Sequence, residues 1–118
     1  METEDVATDE ESDAVDFTDF KFRGQGQQVA VYSDGTYYLG EVLSEDTDRK
    51  ATVSFMCQRG DKNSFMWPSA EDIDTVEAQY VFFADFRVVH STTRMRSVDT
   101  NDWKTLLQKF SQYHDLIC

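Results

Sequence analysis

The chain has 118 residues, enough for one domain, and carries 23 acidic against 11 basic residues, a formal net charge of −12. No apolar stretch approaches the ~20 residues of a membrane span, and the acidic N-terminus lacks the basic and apolar parts of a signal peptide. Two cysteines are too few for a disulfide scaffold, and phosphate contacts need clustered bases. We therefore expect an intracellular protein that binds neither membranes nor nucleic acid directly.

The acidity is concentrated at the N-terminus. Residues 1–19 contain nine acids and no base, which leaves the rest of the chain with a net charge of only −3. A segment with so much like charge and so few apolar residues gains too little from burial to become ordered. We predict an acidic disordered tail over residues 1–22, which either keeps the protein soluble or acts as an arm for a basic partner.

The next segment is predicted to be a β-hairpin. Apolar runs at 28–32 and 36–43 flank Asp34 and Gly35. An Asp-Gly pair in that setting is a strong hairpin signal, because the turn requires positive φ. Gly40 in the second run suggests a bulge or a sharp bend.

Three further strands complete the predicted body. Residues 51–57 alternate between apolar and polar, the run 63–67 ends at a proline, and residues 80–89 are rich in Val and Phe. Ser69 is a candidate cap for one short helical turn. Five short strands joined by tight turns favour a small closed barrel over residues 23–90, because closure removes exposed strand edges.

The C-terminal part, residues 91–118, is predicted to be a linker followed by an amphipathic helix. Its apolar positions recur at helical spacing and include Trp103, Leu106, Leu107, Phe110, Tyr113, Leu116 and Ile117. This stripe must be buried either against the barrel or against a partner. In the second case Trp103, Leu107 and Phe110 would form the partner-binding surface.

Arrangements typical of catalysis and metal binding are missing from the sequence. His90 and His114 stand in no metal-ligand spacing, Cys57 and Cys118 are far apart in sequence, and there is no phosphate-binding loop or nucleophile elbow. We therefore expect no enzymatic activity, no metal and no cofactor, and a role in binding other molecules.

Aromatic residues cluster near the predicted turns. Tyr32, Tyr38 and Phe55 lie at strand ends that a barrel brings to the same rim. Their rings either fill the core or form a cage for a methylated ammonium group, which aromatic faces attract through cation–π interactions. Asp34 and Asp61 lie in two predicted turns near these rings, and either would add a carboxylate to such a cage.

Residues 29–42, with the sequence VAVYSDGTYYLGEV, resemble the opening of a Tudor domain, especially of the kind in Polycomb-like chromatin proteins. The triplet Val53-Ser54-Phe55 is similar to the third strand of that family. Trp67 resembles a later position of the family pattern, as do Asp72 and Ile73. The resemblance covers residues 27–89.

The resemblance implies both a fold and a function. Tudor domains are five-stranded, SH3-like barrels that commonly read methylated lysine or arginine, often on histone tails. Carried over position by position, the cage here would be Tyr32, Tyr38 and Phe55, the partner a methylated or basic peptide, and the location nuclear. The chain itself would be a monomer or a weak oligomer.

Two alternatives to methylated-residue reading remain open. The first is a degenerate Tudor-like domain that binds an unmodified peptide or a partner protein. The second is an adaptor or oligomer scaffold that uses the C-terminal helix.

Overall fold

The computed structural model describes residues 20–47, 49–59 and 63–117. Within these residues the chain forms nine β-strands and one α-helix. The strands are β1 (Gln28–Ser33), β2 (Thr36–Thr47), β3 (Lys50–Phe55), β4 (Cys57–Gln58), β5 (Phe65–Met66), β6 (Ile73–Glu77), β7 (Val81–Ala84), β8 (Val88–His90) and β9 (Met95–Val98), and the helix is α1 (Thr100–Ile117). A 3₁₀ turn, Ala78–Tyr80, separates β6 from β7.

The strands form two antiparallel sheets. The larger has the order β6-β3-β2-β1-β7, and the smaller has the order β4-β5-β9-β8. The predicted mostly-β class with a C-terminal helix is confirmed, but the single closed barrel is not found. The strands divide between two sheets, and the edge strands β6 and β7 do not pair with each other in the described part of the chain.

The first hairpin forms as predicted. Ser33 pairs with Thr36, and the two residues between them have positive φ, 54° at Asp34 and 81° at Gly35. A two-residue turn of this kind matches the right-handed twist of the flanking strands.

Gly40 does not form the predicted bulge. It pairs regularly with both neighbouring strands, and β2 shifts register further along, between Val42 and Ser44. A Cβ at position 40 would lie 2.5 Å from Val53 Cγ1 and 2.7 Å from the Ser54 carbonyl oxygen. Glycine is needed there because β3 passes too close for a side chain.

The predictions for the segment after β3 are wrong in two places. The run 63–67 contributes only the two residues of β5, which belongs to the smaller sheet. The helical turn predicted at Ser69 does not form. The strand β6 follows instead and pairs with β3 at one edge of the larger sheet. The β-branched residues Ile73, Thr75 and Val76 suit a pleated strand once a partner strand is available.

The predicted strand 80–89 is divided between the sheets at Asp85, whose φ is 64°. Its N–H donates to the Gln28 carbonyl oxygen over 2.9 Å, and its carboxylate accepts hydrogen bonds from Gln27 and Arg23. These bonds stabilise the change in chain direction at Asp85. After it, β8 pairs with β9 in the smaller sheet.

The domain boundaries predicted at residues 22 and 90 are also corrected. Phe22 is buried, and Phe20 packs against the same core, with the two ring centroids 5.1 Å apart. The fold therefore includes residues 20–22, while the rest of the predicted tail, 1–19, lies outside the described residues. The predicted linker contains β9, which pairs with both β5 and β8.

The larger sheet carries a hydrophobic core on each face. The inner core takes side chains from all five of its strands and consists of Phe22, Val29, Val31, Val42, Ala51, Val53, Phe55, Val76, Ala78 and Val81. The outer core lies between that sheet, the smaller sheet and α1, and consists of Ala30, Tyr32, Leu39, Met56, Phe65, Phe82, Phe86, Val98, Leu106 and Tyr113.

The helix α1 is fixed at its start by Asp99. The Asp99 carboxylate accepts hydrogen bonds from the backbone N–H groups of Asn101 (3.2 Å) and Asp102 (3.4 Å), as an N-cap does. The hydrogen bond from the Arg87 guanidinium, aided by the Asp102 N–H, holds the pKa of the Asp99 carboxyl below its usual value.

The apolar stripe of α1 packs mainly on the protein's own outer core. Leu106 and Tyr113 are buried, and Trp103 and Phe110 pack beside them. The Tyr113 hydroxyl donates to the Gln79 carbonyl oxygen over 2.5 Å, and burial raises the pKa of Tyr113.

Candidate functional site

A cleft of about 680 Å³ opens at the end of the inner core, between the first hairpin and β6. This volume is in the usual range for ligand pockets. Its lining combines aromatic, acidic and small apolar side chains: Val31, Tyr32, Ser33, Asp34, Tyr38, Phe55, Asp72, Asp74, Thr75, Val76, Glu77, Tyr80 and Ile117.

The register of the larger sheet brings these residues together. Phe55 at the end of β3 pairs with Gly40, which places it close to the start of β2. On its other side, the Phe55 N–H donates to the Asp72 carbonyl oxygen over 2.8 Å, just before β6 begins. Side chains alternate along a strand, so Asp72 and Asp74 lie on the same face as Phe55.

The aromatic rings of the cleft differ in exposure. Tyr38 and Tyr80 are each 45% exposed, whereas Phe55 is only 8% exposed. Tyr38 meets Phe55 edge to face, with ring centroids 6.3 Å apart. Tyr38 and Tyr80 are thus available to a ligand at the rim, and Phe55 belongs to the floor.

Tyr32 is a core residue that reaches the cleft. It is 8% exposed, and its ring lies 5.1 Å from that of Tyr113 and 5.7 Å from that of Phe110. Its hydroxyl forms a 2.8 Å hydrogen bond with Nδ1 of His114. Since α1 holds this ring in the outer core, Tyr32 offers little surface to a cage.

The described charged residues of the cleft are all acidic. Asp34, Asp72, Asp74 and Glu77 line it, and no Lys, Arg or His among the described residues does. The ion pairs seen among the described residues join Arg23 to Asp85 and Arg87 to Asp99, so none of these four carboxylates forms an ion pair with a described base. Clustered charge of one sign in a concave surface attracts ligands of the opposite sign.

Four of the five predicted cage residues therefore line one cleft, namely Tyr32, Tyr38, Phe55 and Asp34. The fifth, Asp61, lies outside the described residues. Its neighbour Arg59 lines a different cleft, together with Met66 and Met95 of the smaller sheet.

Sequence reasoning missed Tyr80 and the three carboxylates near β6. The alternation of Asp72 and Asp74 with Ile73 and Thr75 was a strand signal that could have found them. The helical turn predicted from Ser69 extended over Asp72, and carboxylates in turns are expected to face solvent.

The helix residues predicted as a partner surface do not lie together on a free face. The Trp103 ring lies 5.9 Å from that of Phe65, and the Phe110 ring lies 5.1 Å from that of Tyr37. Leu107 is 40% exposed. Near the end of the same helix, Ile117 lines the cleft.

No group of three or more His, Cys, Asp or Glu side chains is placed to hold a metal ion within residues 20–47, 49–59 and 63–117. In the same ranges no helix is both long and apolar enough to cross a membrane. Comparisons with family models, with curated proteins and with solved structures find no match to this chain. What the protein does must therefore be inferred from the chemistry of the cleft.

Proposed function

We propose that this chain is a non-catalytic interaction module that binds a methylated lysine or arginine of a basic protein tail in its acidic, aromatic cleft. One observation carries the proposal: exposed Tyr38 and Tyr80 share a cleft with four carboxylates and with no basic side chain from the described part of the chain. A methylated cation has an apolar surface that suits aromatic rings and a charge that suits carboxylates.

The expected affinity is modest. Each exposed ring contributes ~0.5–1 kcal/mol to a held cation. The carboxylates add attraction that solvent and salt screen. With further contacts along the peptide, we expect a dissociation constant in the micromolar to millimolar range, or roughly −4 to −8 kcal/mol.

The larger sheet supports the Tudor-like part of the proposal. It has five antiparallel strands, its first three are consecutive neighbours, and all five contribute side chains to the inner core. A small SH3-like barrel shares these features. On this proposal a histone tail is a suitable ligand because it is basic and methylated, and the protein would act on chromatin in the nucleus.

A second candidate ligand is an unmodified basic peptide. Tyr32 and Phe55 are each only 8% exposed, so fewer ring faces are open than the sequence pattern predicts. A cleft with four carboxylates and two open rings can bind lysine or arginine mainly through charge.

Peptide binding separates the two candidates. Labelled histone-tail peptides carrying unmodified, trimethylated or acetylated lysine are titrated with the protein and followed by fluorescence anisotropy. We expect the trimethylated peptide to bind at least about threefold more tightly than the unmodified one, and the acetylated peptide to bind weakest because acetylation removes the charge. Equal binding of the first two would favour the unmodified-peptide candidate, and no binding of any would contradict both.

Variants of the cleft locate the site. Tyr38→Ala and Asp74→Asn should each weaken binding of the trimethylated peptide, by roughly threefold to tenfold, since each removes one attractive group. Leu107→Ala and Glu71→Gln are the matched controls, because these exposed residues do not line the cleft. If the controls weaken binding as much as the cleft variants do, the peptide binds elsewhere.

A further inference from the structure

The strand β6 lies at an edge of the larger sheet. It pairs with β3 on one side, and no described strand pairs with its other side. Four of its five residues are exposed, and Ile73, an apolar residue, is 44% exposed. Unpaired edges of this kind are templates for another extended chain.

The hydrogen bonds to β3 show which groups of β6 point outward. The Phe55 N–H donates to the Asp72 carbonyl oxygen, and the Ala78 N–H donates to the Arg49 carbonyl oxygen, each over 2.8 Å. In an antiparallel pair, inward and outward groups alternate. The backbone N–H and C=O groups of residues 74 and 76 therefore also face β3, whereas those of residues 73, 75 and 77 face away from it.

One outward donor is covered by a neighbouring side chain. The Thr75 N–H donates to Oδ1 of Asp74 over 2.8 Å. A peptide carbonyl that replaced this contact would leave the Asp74 carboxylate free to attract a cation in the cleft, which Asp74 also lines. Backbone pairing on the edge and cation binding in the cleft would then support each other.

Charge decides what can occupy this edge. Asp74 and Glu77 belong to β6 and line the cleft with Asp34 and Asp72. The chain's own N-terminal segment, residues 1–19, has nine acids and no base, so the cleft repels it. Two copies paired along β6 would bring the same carboxylates together. A basic peptide is the complementary occupant.

We propose that the peptide bound in the cleft lies in an extended conformation and adds to β6 as a further strand of the larger sheet. The inference rests on the proposed function, because the cleft supplies the cation contact. It adds that the peptide backbone is recognised through residues 73, 75 and 77. It also implies that bulky side chains are tolerated only at alternate peptide positions.

A scan of backbone-methylated peptides tests strand addition without altering the protein. The probe is a short peptide of alternating alanine and threonine with trimethyl-lysine at its centre and arginine at each end. Its amide nitrogens are methylated one at a time. We expect affinity to fall by roughly threefold to tenfold at every second position and to stay nearly unchanged between them, since only alternate N–H groups face β6.

A protein variant provides the second measurement. Thr75→Pro removes an outward N–H and leaves the bonds to β3 in place, and edge strands tolerate proline there. Thr75→Val keeps that N–H and is the matched control. We expect the probe to bind Thr75→Pro roughly threefold to tenfold more weakly than it binds Thr75→Val.

The outcomes distinguish this inference from the proposed function. If the trimethyl-lysine probe without methylated amides does not bind, the proposed function fails and strand addition fails with it. If the probe binds and loses affinity on Tyr38→Ala, but the amide scan shows no alternation, strand addition alone is overturned. Should Thr75→Pro fail to fold, the peptide scan decides by itself.

Discussion

Tyr32 and Tyr38 belong to the same hairpin and have different roles. Tyr32 is held by the outer core and by its hydrogen bond to His114, whereas Tyr38 is 45% exposed at the cleft. Both fit positions in an aromatic cage when only the sequence is considered. Their difference comes from α1, which covers one face of β1.

Gly40 gives a prediction at the scale of one residue. Gly40→Ala should lower the free energy of unfolding by ~1–3 kcal/mol, the usual cost of overpacking. Its Cβ would lie 2.7 Å from a backbone oxygen of β3, which can yield only if the strand moves. Urea denaturation followed by tryptophan fluorescence measures the change.

Ser44→Ala is the matched control for Gly40→Ala. Ser44 is exposed in the same strand, so its substitution should change the free energy of unfolding by less than ~0.5 kcal/mol. Equal stability of Gly40→Ala and the parent protein would mean that β2 and β3 do not approach as closely as described.

At the scale of secondary-structure elements, the packing of α1 can be tested directly. Its apolar stripe is wider than the face it buries. Leu106 is completely buried, whereas the adjacent Leu107 is 40% exposed. The two leucines offer a matched test of whether the helix packs on its own sheet.

We expect Leu106→Asp to destabilise the protein by at least ~2–5 kcal/mol, the range for losing a buried leucine. Leu107→Asp should cost less than about 1 kcal/mol, because water still reaches that position. Thermal melting of both variants by circular dichroism measures the difference. Similar losses for both would show that Leu107 is also buried, for example in a dimer, which sedimentation would detect.

At the scale of the whole molecule, the outer core joins segments that were predicted from the sequence to belong to separate units. It combines Tyr32 and Phe82 of the larger sheet with Phe65 and Val98 of the smaller sheet and Leu106 of α1. We therefore expect that residues 23–90 do not fold as an independent unit.

A fragment ending at residue 90 tests this unity. Without β9 and α1 it exposes the outer-core face of β1 and β7, so we expect it to lack a cooperative melting transition. The full chain should show one transition, with tryptophan fluorescence and far-ultraviolet circular dichroism giving the same midpoint. A fragment that melts cooperatively would restore the predicted boundary.

Local signals predicted much of the fold. The Asp34-Gly35 turn, the alternation that became β3 and the helical period after residue 99 are each specified by neighbouring residues, and all three appear in the structure. The segment 56–98 was not predicted well, because its strands are short and some pair with strands far away in the chain, as β5 does with β9 and β6 does with β3. Two-residue strands such as β4 and β5 have no periodicity to detect.

The candidate site was predicted in part for the same reason. Tyr38, Asp34 and Phe55 lie near a hairpin that local sequence defines. Tyr80 and Asp74 join them only because β6 pairs with β3, a contact between residues far apart in the chain.

By itself, the sequence determined the mostly-β class, the first hairpin, the C-terminal helix and the acidic character of the protein. Turn geometry, side-chain alternation and helical period are properties of short segments, and charge is a property of composition. The tertiary structure alone decided that Tyr32 belongs to the core, that β6 brings three carboxylates to the cleft, and that α1 packs on the sheet. These features depend on which distant segments meet, because burial and charge clustering arise only from long-range packing.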